Sequence, residues 1–292
     1  IYYKTINPKN SDGSRPNTYT CQGKSYAPTI DTASSICGNT ITVVDTADTS
    51  SKQFPYGIRL YGENLTANDG IVLAGDYSAQ NVNVSSNNIT ISRGANAIWL
   101  VGTKNINVSQ NTVLFNNSAY STKDNVFGLR IENSTNATIN ANTINANNIP
   151  YVQNVIILDK SKGVNIAGNS LTGAKKHGIN LTSSSASISA NTISGNKENG
   201  IFCYKNSTMT TNKNRITGNK KHGIFVNECK GKSKINRDTI QSNKQCGIAV
   251  QKGNNVTINS AKISKSGKNG IYIFKKSKVT INKCTVSNNK KD

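Results

Sequence analysis

Apolar and polar residues alternate along this chain in short runs. In HGINLTSSSASISANTISGNKE, the stretch from His177 to Glu198, three runs appear, Ile179/Leu181, Ile188 and Ile193, separated by Ser, Ala, Asn and Gly. Period-two alternation sends successive side chains to opposite faces of a strand, so each run predicts a short half-buried strand and each break a tight turn. No stretch repeats apolar residues at helical spacing, and β-branched residues dominate the apolar positions. The unit then recurs. Gly-Ile-x-(Leu/Val/Ile/Cys) begins at Gly178, Gly200, Gly223, Gly247 and Gly270, in steps of 22, 23, 24 and 23 residues. A period in the low twenties made of short β units marks a solenoid, in which each coil buries its apolar side only against its neighbours. The register runs back through Val155-Ile156-Ile157-Leu158, Gly128-Leu129-Arg130-Ile131, Ala97-Ile98-Trp99-Leu100 and Tyr56-Gly57-Ile58-Arg59-Leu60.

The pattern predicts an all-β chain. Residues 57–292 form a single-stranded right-handed parallel β-helix of roughly nine or ten coils, about 45 Å long. Residues 1–56 do not repeat, hold four of the five prolines, and are expected to cap the first coil. Two asparagine columns support the register: Asn111, Asn142, Asn169, Asn191 and Asn214, continued by Asp238, Ala261 and Cys284, and then Asn116, Asn147, Asn196, Asn219, Asn243 and Asn289. Asn tolerates left-handed backbone and can bond to the coils on either side, so both columns read as structural.

The repeated N-x-I-x-G-N-x-x-x-G-I-x-L resembles the coils of the pectate-lyase-like β-helix superfamily over about residues 57–292. That superfamily includes polysaccharide lyases, pectin hydrolases, mannuronan C5-epimerases and non-enzymatic surface proteins, so the resemblance implies the fold and leaves the activity open. Its catalytic signatures do not transfer. The epimerase-type Asp-Pro-His-Asp/Glu is missing, and the nearest string, Tyr56 to Glu63, has neither Asp nor His; the Asn-Thr-Asp and Arg-Ile-Lys signatures of pectin hydrolases are missing too. An extracellular or cell-surface location is implied by the resemblance. The chain begins at Ile1 rather than Met, which fits a trimmed secreted protein or an excised domain, and no apolar run is long enough to span a bilayer.

Hydrophobic content of 35 % suits a solenoid, whose coils need only a thin apolar ladder. Of six cysteines, Cys21 and Cys37 are candidates for a disulfide within the cap. Cys203 stands in the inward Leu column and reads as a buried thiol. Cys229, Cys246 and Cys284 share no column, so neither a metal site nor a ladder of disulfides follows.

Charge changes the picture most. Residues 1–172 carry 12 Lys+Arg against 10 Asp+Glu, whereas residues 173–292 carry 23 against 4, so a net +19 of the total +21 lies in the second part. Lysines recur in the turn before each Gly-Ile strand: Lys175/Lys176, Lys197, Lys220/Lys221, Lys244 and Lys268. Like charges on successive coils fall within a Debye length of about 8 Å and repel unless an anion lies alongside. Lysine also protects β edges from association, which is the plainer reading. No nucleic-acid motif accompanies the charge and arginines are few, so an acidic polysaccharide or an anionic cell-wall polymer is the expected partner.

In Gly-Ile-x-Leu the third and fifth positions face outward. The third gives Arg59, Trp99, Arg130, Ile157, Asn180, Phe202, Phe225, Ala249 and Tyr272; the fifth includes Glu132, Asp159, Thr182 and Tyr204; the residue before the Gly includes His177 and His222. Arg130, Glu132, Asp159 and His177 fall on three successive coils and are the catalytic candidates, with Glu132 and Asp159 as vertical neighbours able to divide acid and base roles. Lyase or epimerase chemistry, needing a base and a cation beside a uronate, is favoured over hydrolysis. Alternatively Arg130 simply neutralises two surface acids, and the histidines replace Asn at a turn. Trp99, Tyr151, Lys176, Phe202, Lys221, His222 and Phe225 are the expected glycan contacts, Tyr151 on the insertion Asn148 to Gln153 and Tyr120 and Lys123 on the insertion Asn117 to Val126. No resident cofactor is expected; Ca²⁺ on Glu132 and Asp159 is conceivable, but two acids make a poor site. The leading expectation is a monomeric, secreted carbohydrate-active β-helix. The alternative is a non-catalytic adhesin or glycan-binding module.

Overall fold

The structure is a computed structural model describing residues 35–43, 56–61, 79–91, 96–116, 126–229, 231–253 and 255–291, with short strands at 2–4, 19–21 and 24–26. Three parallel sheets of ten strands each run along the solenoid. The first holds the Gly-Ile-x-Leu strands, among them Asn96–Val101, Val126–Glu132, Val152–Asp159, His177–Thr182, Ile201–Tyr204 and Ile224–Asn227. The second and third take the two shorter strands of each coil, such as Ser185–Ser189 and Thr192–Ser194. The sheets reach into the segment expected to be a cap: Tyr2–Lys4 pairs with the first sheet, Ser35–Cys37 with the second and Thr40–Val43 with the third.

Inward residues stack in register as Ile, Leu and Val: Ile58, Ile98, Leu129, Ile156, Ile179, Ile201, Ile224 and Ile248 are all essentially buried. The glycine before the first inward residue, replaced by Ala97 and Val155 in two coils, is demanded by this packing in the C-terminal coils. A Cβ on Gly200 would meet Ile216 Cγ2 across the coil and approach the carbonyl oxygen of Gly223 to 2.7 Å. The coil can close this tightly only where that side chain is missing.

Three polar ladders satisfy the corners. In the first, the backbone N–H of each Asn donates to Oδ1 of the next: Asn39 to Asn87, Asn87 to Asn111, Asn111 to Asn142, Asn142 to Asn169, Asn169 to Asn191 and Asn191 to Asn214, over 2.8–3.1 Å. Asn214 donates to Oδ1 of Asp238 through its backbone N–H at 2.7 Å and through Nδ2 at 2.8 Å. In the second, Ala174 donates to Asn196, Asn196 to Asn219 and Asn219 to Asn243. Asn116 and Asn147, placed in this column by the sequence, are exposed and lie outside the buried ladder. The third follows the first sheet: Thr103 donates to Ser134, Ser134 to Ser161, Ser161 to Ser184 and Ser184 to Ser207, each backbone N–H reaching a hydroxyl at 3.0–3.1 Å. Many corners turn on left-handed residues, and lysine often supplies one, alone at Lys160 and Lys252 with φ of 49° each, and beside a second left-handed residue at Lys205 and Lys275 with φ of 45° and 53°.

Cys37 is a free thiol, its Sγ 3.0 Å from Ser85 Oγ; the side chain of Cys21, its candidate disulfide partner, lies outside the described residues. Among the described residues no helix is long and apolar enough to cross a membrane.

Candidate functional site

The turn before each first-sheet strand stacks in register. The backbone N–H of Glu198 donates to the carbonyl of Lys176, that of Lys221 to Glu198, that of Gln245 to Lys221 and that of Lys268 to Gln245. The column two residues before the glycine is therefore Lys176, Glu198, Lys221, Gln245 and Lys268. Beside it runs Lys197, Lys220 and Lys244, all exposed. The lysines expected as one row thus divide between two adjacent columns, and Lys221 lines a groove of about 290 Å³ together with His177, Glu198, Asn199, Phe202, His222, Phe225 and Gln245.

The floor is aromatic. Phe202 and Phe225 are register partners on adjacent strands, their rings stacked with centroids 5.3 Å apart. His177 lies 4.7 Å from Phe202, His222 5.2 Å from Phe225, and Tyr204 stacks on the far side of Phe202 at 5.4 Å. All three aromatic side chains are half-buried and keep part of each ring exposed. Glu198 crosses the groove, with Oε1 3.1 Å from Lys221 Nζ and Oε2 3.7 Å from His177 Nε2.

The two histidines are fixed by the coil. Nδ1 of His177 accepts the backbone N–H of Asn199 at 3.4 Å, and Nδ1 of His222 accepts that of Cys246 at 3.2 Å. Between them, Oδ1 of Asn199 accepts the backbone N–H of His222 at 3.1 Å. An imidazole nitrogen that accepts an N–H is unprotonated, so the neutral ring carries its proton on Nε2. Burial, then Lys176 and Lys221, hold the His177 pKa down at about 3; burial, then Lys268 and Lys221, hold that of His222 at about 4. Near neutral pH both rings are therefore uncharged hydrogen-bond donors. The approach of His177 to Glu198 is not an ion pair, and the charge of Glu198 is met by Lys221.

The sequence candidates divide between two places. Glu132 and Asp159 are register partners, as the column reading required, and Arg130 holds Glu132 with Nη2 2.9 Å from Oε2. His177 does not join them. It pairs with Asn154 while Asp159 pairs with Thr182, five residues farther along the strand, or about 16 Å. Trp99 also stands apart from the groove, stacked between the guanidinium carbons of Arg59 at 4.6 Å and Arg130 at 4.8 Å. Tyr151 is 2 % exposed and belongs to the core, because its insertion folds inward through turns closed by Ile149 N–H to Ala146 and Val152 N–H to Ile149. Tyr120 and Lys123 lie outside the described residues. Lys176, Phe202, Lys221, His222 and Phe225 do gather around His177. Among the described residues no three His, Cys, Asp or Glu side chains converge as a metal site would require, and Glu132 is engaged by Arg130.

Glu198, Asn199 and Gln245 complete the groove and were not singled out from the sequence. A signal existed: Glu198 and Gln245 are the two departures from an otherwise basic column.

The solenoid has known counterparts. The A-module of a mannuronan C-5 epimerase from Azotobacter vinelandii superposes with a TM-score of 0.50 at 12 % identity, over 87 % of this chain and 78 % of that one. The catalytic unit of a GH87 α-1,3-glucanase from Streptomyces thermodiastaticus gives 0.50 at 15 % identity, over 73 % of this chain and 45 % of that one. A periplasmic alginate epimerase gives 0.47 at 14 % identity, over 87 % and 85 %. At these identities the likeness concerns the fold. No curated protein sequence matches the chain significantly. The model of the right handed beta helix region matches residues 69–236 and 223–292, and the chain belongs to that family.

Proposed function

We propose that this protein is a carbohydrate-active β-helix that binds an acidic polysaccharide, outside the cell or at its surface, along the first sheet of its C-terminal half. The observation that carries the reading is the stacked pair Phe202–Phe225, half-buried in a groove that Lys221 also lines, with exposed lysines in the columns of the adjoining turns. Aromatic faces suit the C–H faces of pyranose rings. The lysines supply charge for carboxylates, and Nε2–H of His177 and His222 supplies donors for hydroxyl or carboxylate oxygens. Successive coils are about 4.8 Å apart, a spacing close to one sugar residue, so an extended acidic chain can meet a cation on most coils. The fold of the polysaccharide epimerases and glucanase noted above is consistent with this reading.

Whether turnover accompanies binding is a separate question. Lyase or epimerase chemistry would draw either on Arg130, Glu132 and Asp159 at one end of the first-sheet strands or, at the other, on Glu198 and Lys221 beside His177 and the aromatic floor. The non-catalytic reading is favoured by the histidine geometry. With Nδ1 occupied by backbone and the proton on Nε2, neither ring is placed to abstract a proton.

Two measurements test the proposal. Calorimetric titration with oligouronates should show binding that weakens steeply with salt and drops at least about tenfold in Phe202→Ala, the loss of one stacking platform; no binding at low salt would overturn it. Ultraviolet absorption of uronate polysaccharides incubated with the protein, with and without Ca²⁺, should rise only if β-elimination occurs. A rise that disappears in Glu132→Ala or Glu198→Gln, with binding retained, would assign the catalytic locus.

A further inference from the structure

Two ladders of the solenoid break side by side. The inward fourth position of the Gly-Ile-x-Leu strands is aliphatic at Leu60, Leu100, Ile131, Leu158 and Leu181, and again at Val226 and Val250; only Cys203 departs from it. The corner that follows is a hydroxyl ladder through Thr103, Ser134, Ser161, Ser184 and Ser207, and Cys229 stands at the next corner. Its thiol faces the carbonyl that closes its strand, Asn227, at 3.5 Å, as the hydroxyls of Ser134 and Ser184 face Glu132 and Thr182. Each cysteine replaces the ordinary residue of a different ladder, and the two replacements meet: Sγ of Cys203 lies 3.1 Å from Sγ of Cys229, with both residues 0 % exposed.

We propose that Cys203 and Cys229 are a redox pair that closes into a disulfide, stapling strand Ile201–Tyr204 to the corner of the following coil. A disulfide needs about 2.05 Å between sulfurs, so closure moves them together by about 1 Å, within reach of small torsional changes at the corner. The oxidant is a disulfide of low molecular mass or of an oxidised dithiol protein. One cysteine thiolate attacks it, forming a mixed disulfide and releasing one thiol; the second cysteine then displaces the other half. The two protein thiols lose two electrons and two protons, and the oxidant becomes two thiols. The hydrogen bond to Cys229, then burial, hold the Cys203 thiol well above the ordinary thiol range, so exchange proceeds through local opening of the corner or during folding. The closed form removes freedom from the unfolded chain over the residues between them, and the bond lies beside strand Ile201–Tyr204, which carries Phe202 and Tyr204 into the groove.

The test uses the full chain, refolded in reduced and oxidised glutathione, alkylated under denaturing conditions and digested. The expected result is a linked peptide joining Cys203 to Cys229, two hydrogens lighter than its reduced parts. The unfolding midpoint should also fall by several degrees on reduction. Cys203→Val and Cys229→Ser each restore the residue usual for that ladder, so both should fold, and in both the midpoint should no longer respond to reductant. Quantitative alkylation of both cysteines after oxidative refolding, a bond from either to another cysteine, or an unchanged reductant response in the two variants would overturn the proposal.

Discussion

The backbone N–H of Cys246 donates to Nδ1 of His222 at 3.2 Å, one coil along. Oδ1 of Asn96 accepts the backbone N–H of Phe127 at 2.9 Å in the same column, so His and Asn perform one structural task there. What the ring adds is Nε2–H toward the groove. His177→Asn and His222→Asn should therefore keep the thermal midpoint at neutral pH nearly unchanged while weakening oligouronate binding about fivefold each, the worth of one hydrogen bond of about 1 kcal/mol. Calorimetry on the two variants checks this, and unchanged affinity in both would confine the histidines to the ladder.

Stability should depend on pH through two opposing groups. His177 and His222 have folded pKa values of about 3 and 4, below the ordinary 6.5, so their contribution is fully present above pH 6.5 and is lost as pH falls through their folded values. Asp238, raised by burial from 3.8 to about 6, behaves oppositely: its contribution is fully present below pH 3.8 and is lost as pH rises through 6. Asp238→Asn restores the ladder residue and should stabilise the protein by about 1–3 kcal/mol above pH 6, with little gain near pH 4. Denaturant midpoints from pH 4 to 8 read the difference.

Glu198 is the acidic side chain of the groove, and it occupies Lys221. In Glu198→Gln the lysine is freed and a like charge for an acidic ligand disappears. Binding of an oligouronate should tighten about threefold at low salt, an effect of less than 1 kcal/mol for a partly exposed pair. If the protein turns over a uronate through Glu198, the same variant should bind more tightly and react more slowly, a split that a purely electrostatic role does not produce.

Gly200→Ala forces a methyl against Ile216 and the Gly223 carbonyl. The coils on either side must separate or shift, at a cost of about 2–3 kcal/mol. Chemical denaturation should show this loss, whereas replacing exposed Lys197 with alanine should change stability by less than about 0.5 kcal/mol.

The coil was readable because its constraints repeat. Gly200, Ile201 and Asn191 recur at a fixed interval, and each has a steric or hydrogen-bonding reason to recur. Column assignments such as Glu132 beside Asp159 followed from period and alternation alone. Distance along the strand was the weak point: His177 shares a sheet with Asp159 but sits at its other edge. Tyr151 illustrates a second limit. An insertion breaks the period, and nothing in its composition says whether it turns outward as a wall or inward as packing. Glu198 is hard to read for the opposite reason, since it is the one acid in a column that is otherwise basic or neutral, and a single exception has no period of its own. The serine ladder has no distinctive signal in the sequence, because hydroxyl residues are common throughout the chain and their spacing slips by one at Ser207.

The asparagine ladder has a direction. From Asn87 to Asn214 each residue hands its backbone N–H to the coil ahead and takes one from the coil behind; Asp238 receives from Asn214, but the next residue of the column, Ala261, has no side-chain oxygen to receive in turn. A duplicated coil inserted anywhere between Asn87 and Asn214 would find a donor waiting on one side and an acceptor on the other. One inserted after Asp238 would meet Ala261 on its far side, where no side-chain oxygen is on offer. The rod is thus extensible along part of its length and less readily along the rest, and the step from Asp238 to Ala261, where the column loses its side-chain acceptor, marks the boundary between growth that the architecture can absorb and growth that it cannot.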